Sequence, residues 1–108
     1  MKMLEYKYGR NKEKQVGKYL IKKGWRVWIA KGSRGPWDLY AIKKSRKWCI
    51  QVKATRGMKT STARLSPEAE RRLKIAAARM KAIPVLALLA QNHAWFLSVR
   101  NKRELDPR

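Results

Sequence analysis

The chain has few acidic residues and a single cysteine. Its 108 residues include 28 lysines and arginines but only 7 aspartates and glutamates, which gives a formal net charge of +21 at pH 7. One cysteine, Cys49, allows neither an internal disulfide nor a zinc cluster, and is best explained as a small buried thiol. We therefore expect a protein of a reducing compartment, the cytoplasm. Because carboxylates are so scarce, their positions are informative about function.

Long apolar runs are also lacking. No segment approaches the roughly 20 residues of a membrane-spanning helix, and the first five residues do not have the apolar stretch of a signal peptide. A charge of +21 would repel itself in the folded state unless the usual partner is a polyanion. Nucleic acid is therefore the expected partner, and no membrane association is expected.

The hydrophobic pattern predicts one domain over residues 1–108, with a core over about 9–100 and a charged, frayed tail over 101–108. We predict helices from about residue 9 or 10 to 23 and from Ser66-Pro67-Glu68 to about residue 80. The predicted strands cover residues 25–30, 38–42, 47–55, 84–90 and 95–99. This αβββαββ order predicts an α/β fold in which a mixed sheet is flanked by helices.

The first predicted helix carries one acid on its inward face. The apolar stripe consists of Val16, Gly17, Leu20 and Ile21, and Glu13 falls on the same stripe. The remaining positions, mostly lysine, glutamine and arginine, are predicted to face solvent. An inward carboxylate is unfavourable unless it is paired or binds a cation. Glu13 is therefore a candidate metal ligand, and a salt bridge to a nearby lysine is the alternative.

A predicted hairpin brings three further polar groups together. A tight turn near residue 44 pairs residues whose numbers sum to about 90, which places Asp38 near Gln51 and Lys53. Gln51 and Lys53 are two residues apart and share one face, while Ile50 and Val52 point to the other. Carboxylate and amide oxygens suit Mg²⁺, and an ammonium can act on water or phosphate. The set predicts metal-dependent phosphodiester cleavage.

Basic loops flank this predicted site. The charged phosphates of the DNA backbone supply most of the non-specific affinity of a protein for DNA. We therefore expect the polar residues of these loops to contact phosphates, and the alternative for each residue is a solvated surface position. The candidates for DNA binding are Arg10, Lys31, Ser33, Arg34, Arg56, Lys59 and Arg64.

Tryptophan is frequent, with five residues in the chain. Four of them lie in predicted strands, where core packing is expected. Trp37 lies in a loop, where either base contact or packing would explain it. It is therefore the one tryptophan kept as a candidate for DNA contact.

Several motifs occur in a fixed order along the chain. They are Glu13 before a helix ending in Lys23-Gly24-Trp25, Gly32-Ser33 before Asp38-Leu39-Tyr40-Ala41, the strand Ile50-Gln51-Val52-Lys53-Ala54-Thr55, and Ile83-Pro84-Val85-Leu86-Ala87. Over about residues 9–100 this set resembles the PD-(D/E)xK nuclease superfamily, and within it the archaeal Holliday-junction resolvases. The resemblance implies a restriction-endonuclease-like fold.

The same resemblance implies roles for individual residues. Asp38 would be the central metal ligand with the backbone carbonyl of Val52 beside it, and Glu13 would bind the metal directly or through water. Lys53 would position the attacking water or stabilise charge in the transition state. The implied cofactor is Mg²⁺, with Mn²⁺ as a substitute and no organic cofactor. The implied partner is branched DNA, cut by a homodimer at symmetrically placed strands of a four-way junction, in recombination and repair.

Two features depart from the family pattern. Gln51 stands where the family usually has glutamate, so the site has two carboxylates rather than three; Mrr-type restriction nucleases carry a similar Gln-x-Lys. The segment Gly35-Pro36-Trp37 before Asp38 is bulkier than usual. Two alternatives stay open: a nuclease of this superfamily acting on linear or single-stranded DNA, and a nucleic-acid-binding protein that keeps the fold without cutting.

Overall fold

The computed structural model describes residues 2–3, 11–30, 35–54, 65–90 and 93–108. Its helices are α1 (Asn11–Lys22) and α2 (Pro67–Arg79). Its strands are β1 (Lys2–Met3), β2 (Arg26–Ile29), β3 (Leu39–Lys43), β4 (Arg46–Ala54), β5 (Ile83–Ala90), β6 (His93–Ser98) and β7 (Glu104–Leu105). Among these elements there is no helix whose length and apolar character would let it cross a bilayer.

The strands form one mixed sheet in the order β1-β2-β3-β4-β5-β6-β7. All neighbours are antiparallel except β4 and β5, which are parallel. The predicted elements are therefore confirmed in type and order, and the two short strands β1 and β7 are additions to them. Neither was signalled by the hydrophobic pattern, because a two-residue strand is too short to show alternation.

The two helices cover opposite faces of the sheet. Val16 and Leu20 of α1 pack with Ile50 and Val52 of β4, whereas Leu73 of α2 belongs to a second buried cluster. That second cluster also contains Cys49, so alternate residues of β4 serve the two clusters. The prediction of a mixed sheet flanked by helices is confirmed.

Strand β5 is the most deeply buried element of the sheet. From Pro84 to Ala90 every residue is buried, as the apolar run predicted for a strand covered on both faces. Val85 belongs to the cluster under α1 and Leu86 to the cluster under α2. A strand with both faces covered is a rigid support for its parallel neighbour β4, which carries the candidate site.

The inward face of α1 differs from the prediction at two positions. Val16 and Leu20 are fully buried as expected, but Ile21 is 38% exposed, so its place on the inward stripe was wrong. Lys14, predicted to face solvent, is instead only 4% exposed. The periodicity of a helix gives its apolar face, but the contacts that bury each residue depend on tertiary packing. Gly24 ends the helix at a φ of 95°, a conformation that glycine adopts without strain.

Helix α2 begins as its sequence predicts. Ser66 is the N-cap and its hydroxyl accepts a hydrogen bond from the Ala69 amide at 3.1 Å, with Pro67 in the first turn. Leu73 and Ala77 are buried against the sheet. Glu68 and Glu70 lie in the first turn, where negative charge is favourable.

The predicted fraying of residues 101–108 is wrong. Glu104 and Leu105 pair with β6, and Leu105 packs against the buried cluster under α1. The indole Nε1 of Trp25 donates to the Pro107 carbonyl at 2.6 Å. Arg46 stacks over Trp25 at 4.8 Å and donates to the carbonyls of Asp106, at 2.8 Å, and Arg108. The tail is held by partners about 60 or more residues away, which a local reading of its charged sequence could not find.

We expect Arg46→Met to loosen this tail without unfolding the sheet. The variant loses two hydrogen bonds and the stacking on Trp25, so the free energy of unfolding should fall by about 0.5–1 kcal/mol. Amide hydrogen exchange should accelerate at residues 104–108. Lys47→Met removes the same charge from the next residue of β4 and should leave that exchange unchanged. Equal protection of the tail in both variants would contradict the anchoring role of Arg46.

Candidate active site

The β3–β4 hairpin sets the position of Asp38. Leu39 pairs with Ile50 and Lys43 with Arg46, across a tight turn in which Lys44 has a φ of 56°. Asp38 comes immediately before Leu39, and therefore lies beside the part of β4 that follows Ile50. The predicted register of this hairpin is correct to within one residue.

Backbone and side chain of Asp38 are both held by neighbouring strands. Its N–H donates to the Ile50 carbonyl at 2.7 Å, and its carbonyl accepts from the Ala30 N–H at 3.0 Å. The carboxylate oxygen Oδ2 accepts from the Val52 N–H at 2.8 Å. The other oxygen, Oδ1, makes no hydrogen bond to the described part of the chain. Asp38 is thus an oriented carboxylate, and among the described residues its Oδ1 is left for a ligand.

Gln51 is fixed by a different contact. Its amide Nε2 donates to the Pro36 carbonyl at 2.9 Å, and the side chain is half-buried. Because Nε2 takes the side facing Pro36, the amide oxygen Oε1 is directed away from it. Lys53, two residues further on the same face of β4, is exposed. The structure therefore places Asp38, Gln51 and the exposed Lys53 at one end of β4, as the hairpin predicted.

The Val52 carbonyl is directed towards the same region. In a strand, the N–H and C=O of one residue point to the same neighbour. The Val52 N–H points to Asp38, so the Val52 carbonyl is turned to that side as well. β3 begins at Leu39, so within the described ranges no strand residue pairs with Val52 on that side. A backbone oxygen beside Asp38 is what the resemblance implied.

Glu13 reaches the same end of the sheet from α1. The C-terminal end of α1 lies by the hairpin turn, because Lys43 Nζ donates to the Lys23 carbonyl at 2.6 Å. Glu13 is about ten residues earlier, or roughly 15 Å along the helix axis, and so lies towards the end opposite the turn. It is half-buried, which agrees with the predicted inward direction. Its role as a ligand stays a prediction.

The possible metal ligands of the site are a mixture of carboxylate, amide and carbonyl oxygens, not a cluster of acidic side chains. Within the described ranges, no three His, Cys, Asp or Glu side chains gather closely enough to hold a metal ion. The oxygen donors near one another at the end of β4 are those of Asp38, Gln51 and Val52, while the Glu13 carboxylate lies on the α1 side of the sheet and stays a predicted ligand. Mg²⁺ accepts carboxylate, carbonyl and water oxygens and keeps several waters, so these residues fit the ion.

A sequence model of the archaeal Holliday junction resolvase (Hjc) family matches residues 4–106. The chain belongs to this family. Among solved structures it is similar to Archaeoglobus fulgidus Hjc, a Holliday junction resolvase from an archaeal hyperthermophile, with a TM-score of 0.73 and 22% identity over 89% of this chain and 85% of that chain. At this identity the structural likeness shows the shared fold. A search of the curated proteins found no match.

Membership of the Hjc family confirms the predicted class of function, a structure-selective nuclease of Holliday junctions. The predicted superfamily and fold are confirmed by the same comparisons. The predicted DNA-binding residues lie outside the described part of the chain, and their roles stay predictions. They are Arg10, Lys31, Ser33, Arg34, Arg56, Lys59 and Arg64.

Three tryptophans and the cysteine of this Hjc-family chain are buried or packed against neighbouring rings. Trp25 and Trp48 are buried, and the half-buried Trp37 packs near Tyr40, with 6.0 Å between ring centroids. The position of Trp37 agrees with packing, and a base contact stays a prediction. Burial raises the pKa of the Cys49 thiol to about 11, so this cysteine is protonated and unreactive at neutral pH.

Sequence reasoning missed the part that Pro36 takes in the site. Its carbonyl accepts the hydrogen bond from Gln51, and it comes two residues before Asp38. A backbone carbonyl leaves no signature in a sequence, because every residue has one. The unusual Gly35-Pro36-Trp37 segment beside an unusual glutamine was the available signal, and the contact joins the two.

Proposed function

We propose that this chain is a Mg²⁺-dependent endodeoxyribonuclease that resolves four-way junctions through Glu13, Asp38, Gln51 and Lys53. The observation that carries the proposal is the docking of residues 36–38 on residues 50–52 of β4. Three hydrogen bonds of 2.7–2.9 Å make this connection, and one of them orients the Asp38 carboxylate. Such preorganisation is what a metal-assisted displacement needs from a protein.

The metal would be held by Asp38, with Glu13 and the oxygens of Gln51 and Val52 completing the set. When bound, Mg²⁺, or Mn²⁺ in its place, supplies a Lewis acid for the phosphate and a water that is easier to deprotonate. The protein contributes the orientation: the Val52 N–H holds Asp38 Oδ2 at 2.8 Å, which presents Oδ1. Because Gln51 is uncharged, two carboxylates balance the divalent ion.

Lys53 is placed to act on the phosphate. It is exposed and shares a face of β4 with Gln51, so its ammonium can approach a DNA strand from solvent while its backbone stays in the rigid sheet. A compact cation there would position the attacking water or stabilise the charge that grows on the phosphoryl oxygens. Its exposure agrees with this role, since a buried ammonium could not reach a macromolecular substrate.

DNA binding and pairing of subunits complete the proposal. The net charge of +21 supports a polyanionic substrate, whose phosphates would be contacted by the basic residues on either side of β3 and β4. Each chain has one candidate site, whereas resolution of a junction needs two symmetrical cuts. A homodimer with two-fold symmetry supplies two sites. We also propose that the protein works in the cytoplasm, where its single cysteine would stay a thiol.

The proposal is tested by incubating the protein with a labelled four-way junction, a linear duplex of the same arms and a single strand. We expect paired, symmetrical nicks in the junction when Mg²⁺ is present and none with chelator. Cutting of all three substrates would show a general nuclease without selectivity for junctions. Tight binding to the junction without cutting in Mg²⁺ or Mn²⁺ would favour the non-catalytic alternative, for which the uncharged Gln51 is the specific observation.

A further inference from the structure

The Gln51 side chain takes part in a three-point connection between two segments. Pro36 O accepts from Gln51 Nε2 at 2.9 Å, Asp38 N–H donates to Ile50 O at 2.7 Å, and Asp38 Oδ2 accepts from Val52 N–H at 2.8 Å. Two of these bonds use backbone atoms of β4 and do not involve the side chain at position 51 directly. The third depends on the side chain at that position, and it requires a hydrogen-bond donor.

Glutamine supplies that donor and glutamate does not. An ionised carboxylate has only acceptor oxygens. At position 51 it would set an acceptor against the Pro36 carbonyl, which is also an acceptor, where an N–H now lies at 2.9 Å. The two oxygens would repel, and the half-buried carbonyl would lose its partner. The glutamate side chain or the segment before Asp38 would then have to move, and the contact between them would be lost.

We propose that Gln51 is a positioning residue: its amide nitrogen anchors Pro36 on β4, which holds the Asp38 carboxylate in place and turns the Gln51 amide oxygen towards the site. This inference rests on the proposed function and adds to it. The glutamine is then matched to the Gly35-Pro36-Trp37 segment rather than being a neutral remnant of a third carboxylate. Restoring glutamate at this position should weaken the site instead of strengthening it.

The test compares Gln51→Glu, Gln51→Met and a control, Gln15→Glu. Methionine has a similar length and cannot donate, while Gln15 lies exposed on α1 and its replacement adds the same negative charge. Amide hydrogen exchange of Asp38 is measured in chelator, so that neither metal nor DNA contributes. Mn²⁺ affinity is then measured by titration of each variant, and junction cleavage last.

In both Gln51 variants we expect the Asp38 amide hydrogen to exchange at least about tenfold faster than in the wild type. This factor is equivalent to ~1.4 kcal/mol. Mn²⁺ affinity should fall in both, and Gln15→Glu should match the wild type in exchange. Unchanged exchange together with tighter Mn²⁺ binding and faster cleavage in Gln51→Glu would overturn the inference. If exchange accelerates while the wild type cuts no substrate, the positioning role stands and the proposed function fails.

Discussion

Asp38→Asn should lower the rate of junction cleavage by roughly a thousandfold or more and leave the fold and DNA binding intact. A metal ion contributes several kcal/mol of transition-state stabilisation, and each ~1.4 kcal/mol is a factor of ten in rate. Asparagine at this position keeps an oxygen that can accept from the Val52 N–H, which now lies 2.8 Å from Oδ2. The loss should therefore come from the missing charge rather than from a displaced loop.

The measurement is single-turnover cleavage of a labelled junction at saturating protein, beside a binding titration in Ca²⁺ or chelator. Binding should be equal to the wild type or tighter, because one negative charge near the phosphates is removed. Asp106→Asn is the matched control. Asp106 is an exposed acid paired with Arg108 at 2.9 Å, a contact that holds the pKa of its carboxyl at about 2. If Asp38→Asn cleaved the junction at the wild-type rate, Asp38 would have no role in catalysis.

Trp48→Ala should produce the largest loss of stability among single tryptophan replacements. The side chain is 1% exposed and lies 4.3 Å from the ring of Trp25 and 5.4 Å from that of Phe96, measured between ring centroids. Replacing such a buried ring by alanine costs about 3–5 kcal/mol, a large part of the roughly 5–15 kcal/mol that stabilises a domain. The midpoint of thermal unfolding should fall by roughly 15–30 °C.

Chemical denaturation followed by far-ultraviolet circular dichroism would measure this loss. Trp28→Ala is the comparison: Trp28 also lies in a strand, but it is only half-buried, at 5.9 Å from the Tyr40 ring. Its replacement should cost clearly less. If Trp48→Ala were as stable as the wild type but bound DNA weakly, the ring would serve recognition instead of the core.

Much of the geometry of the candidate site could be predicted because most of its residues lie in one hairpin. A short turn fixes the register of two antiparallel strands, and the register alone places Asp38 beside Gln51 and Val52. The N-cap of α2 and the glycine that ends α1 were likewise local signals with a local cause. Where the determinant lies within a few residues of the feature, the sequence contains the answer.

Other features depended on distant partners. The tail over residues 101–108 is charged and reads as frayed, but Trp25 and Arg46 hold it through contacts that exist only after the sheet forms. Ile21 is more exposed and Lys14 more buried than expected, because helix periodicity gives an apolar face but not the tertiary contacts of each residue on α1. None of these outcomes is encoded by neighbouring residues.

From the sequence alone came the order of the main elements, the expectation of a polyanionic partner and a candidate site containing Glu13, Asp38, Gln51 and Lys53. Tertiary structure decided how those groups are held. The Gln51 side chain turned out to donate to a backbone carbonyl 15 residues away, and the Asp38 carboxylate to accept from a strand amide. Side-chain identity can be read along a chain, but the direction of a hydrogen bond is fixed only when folding brings its donor and acceptor together.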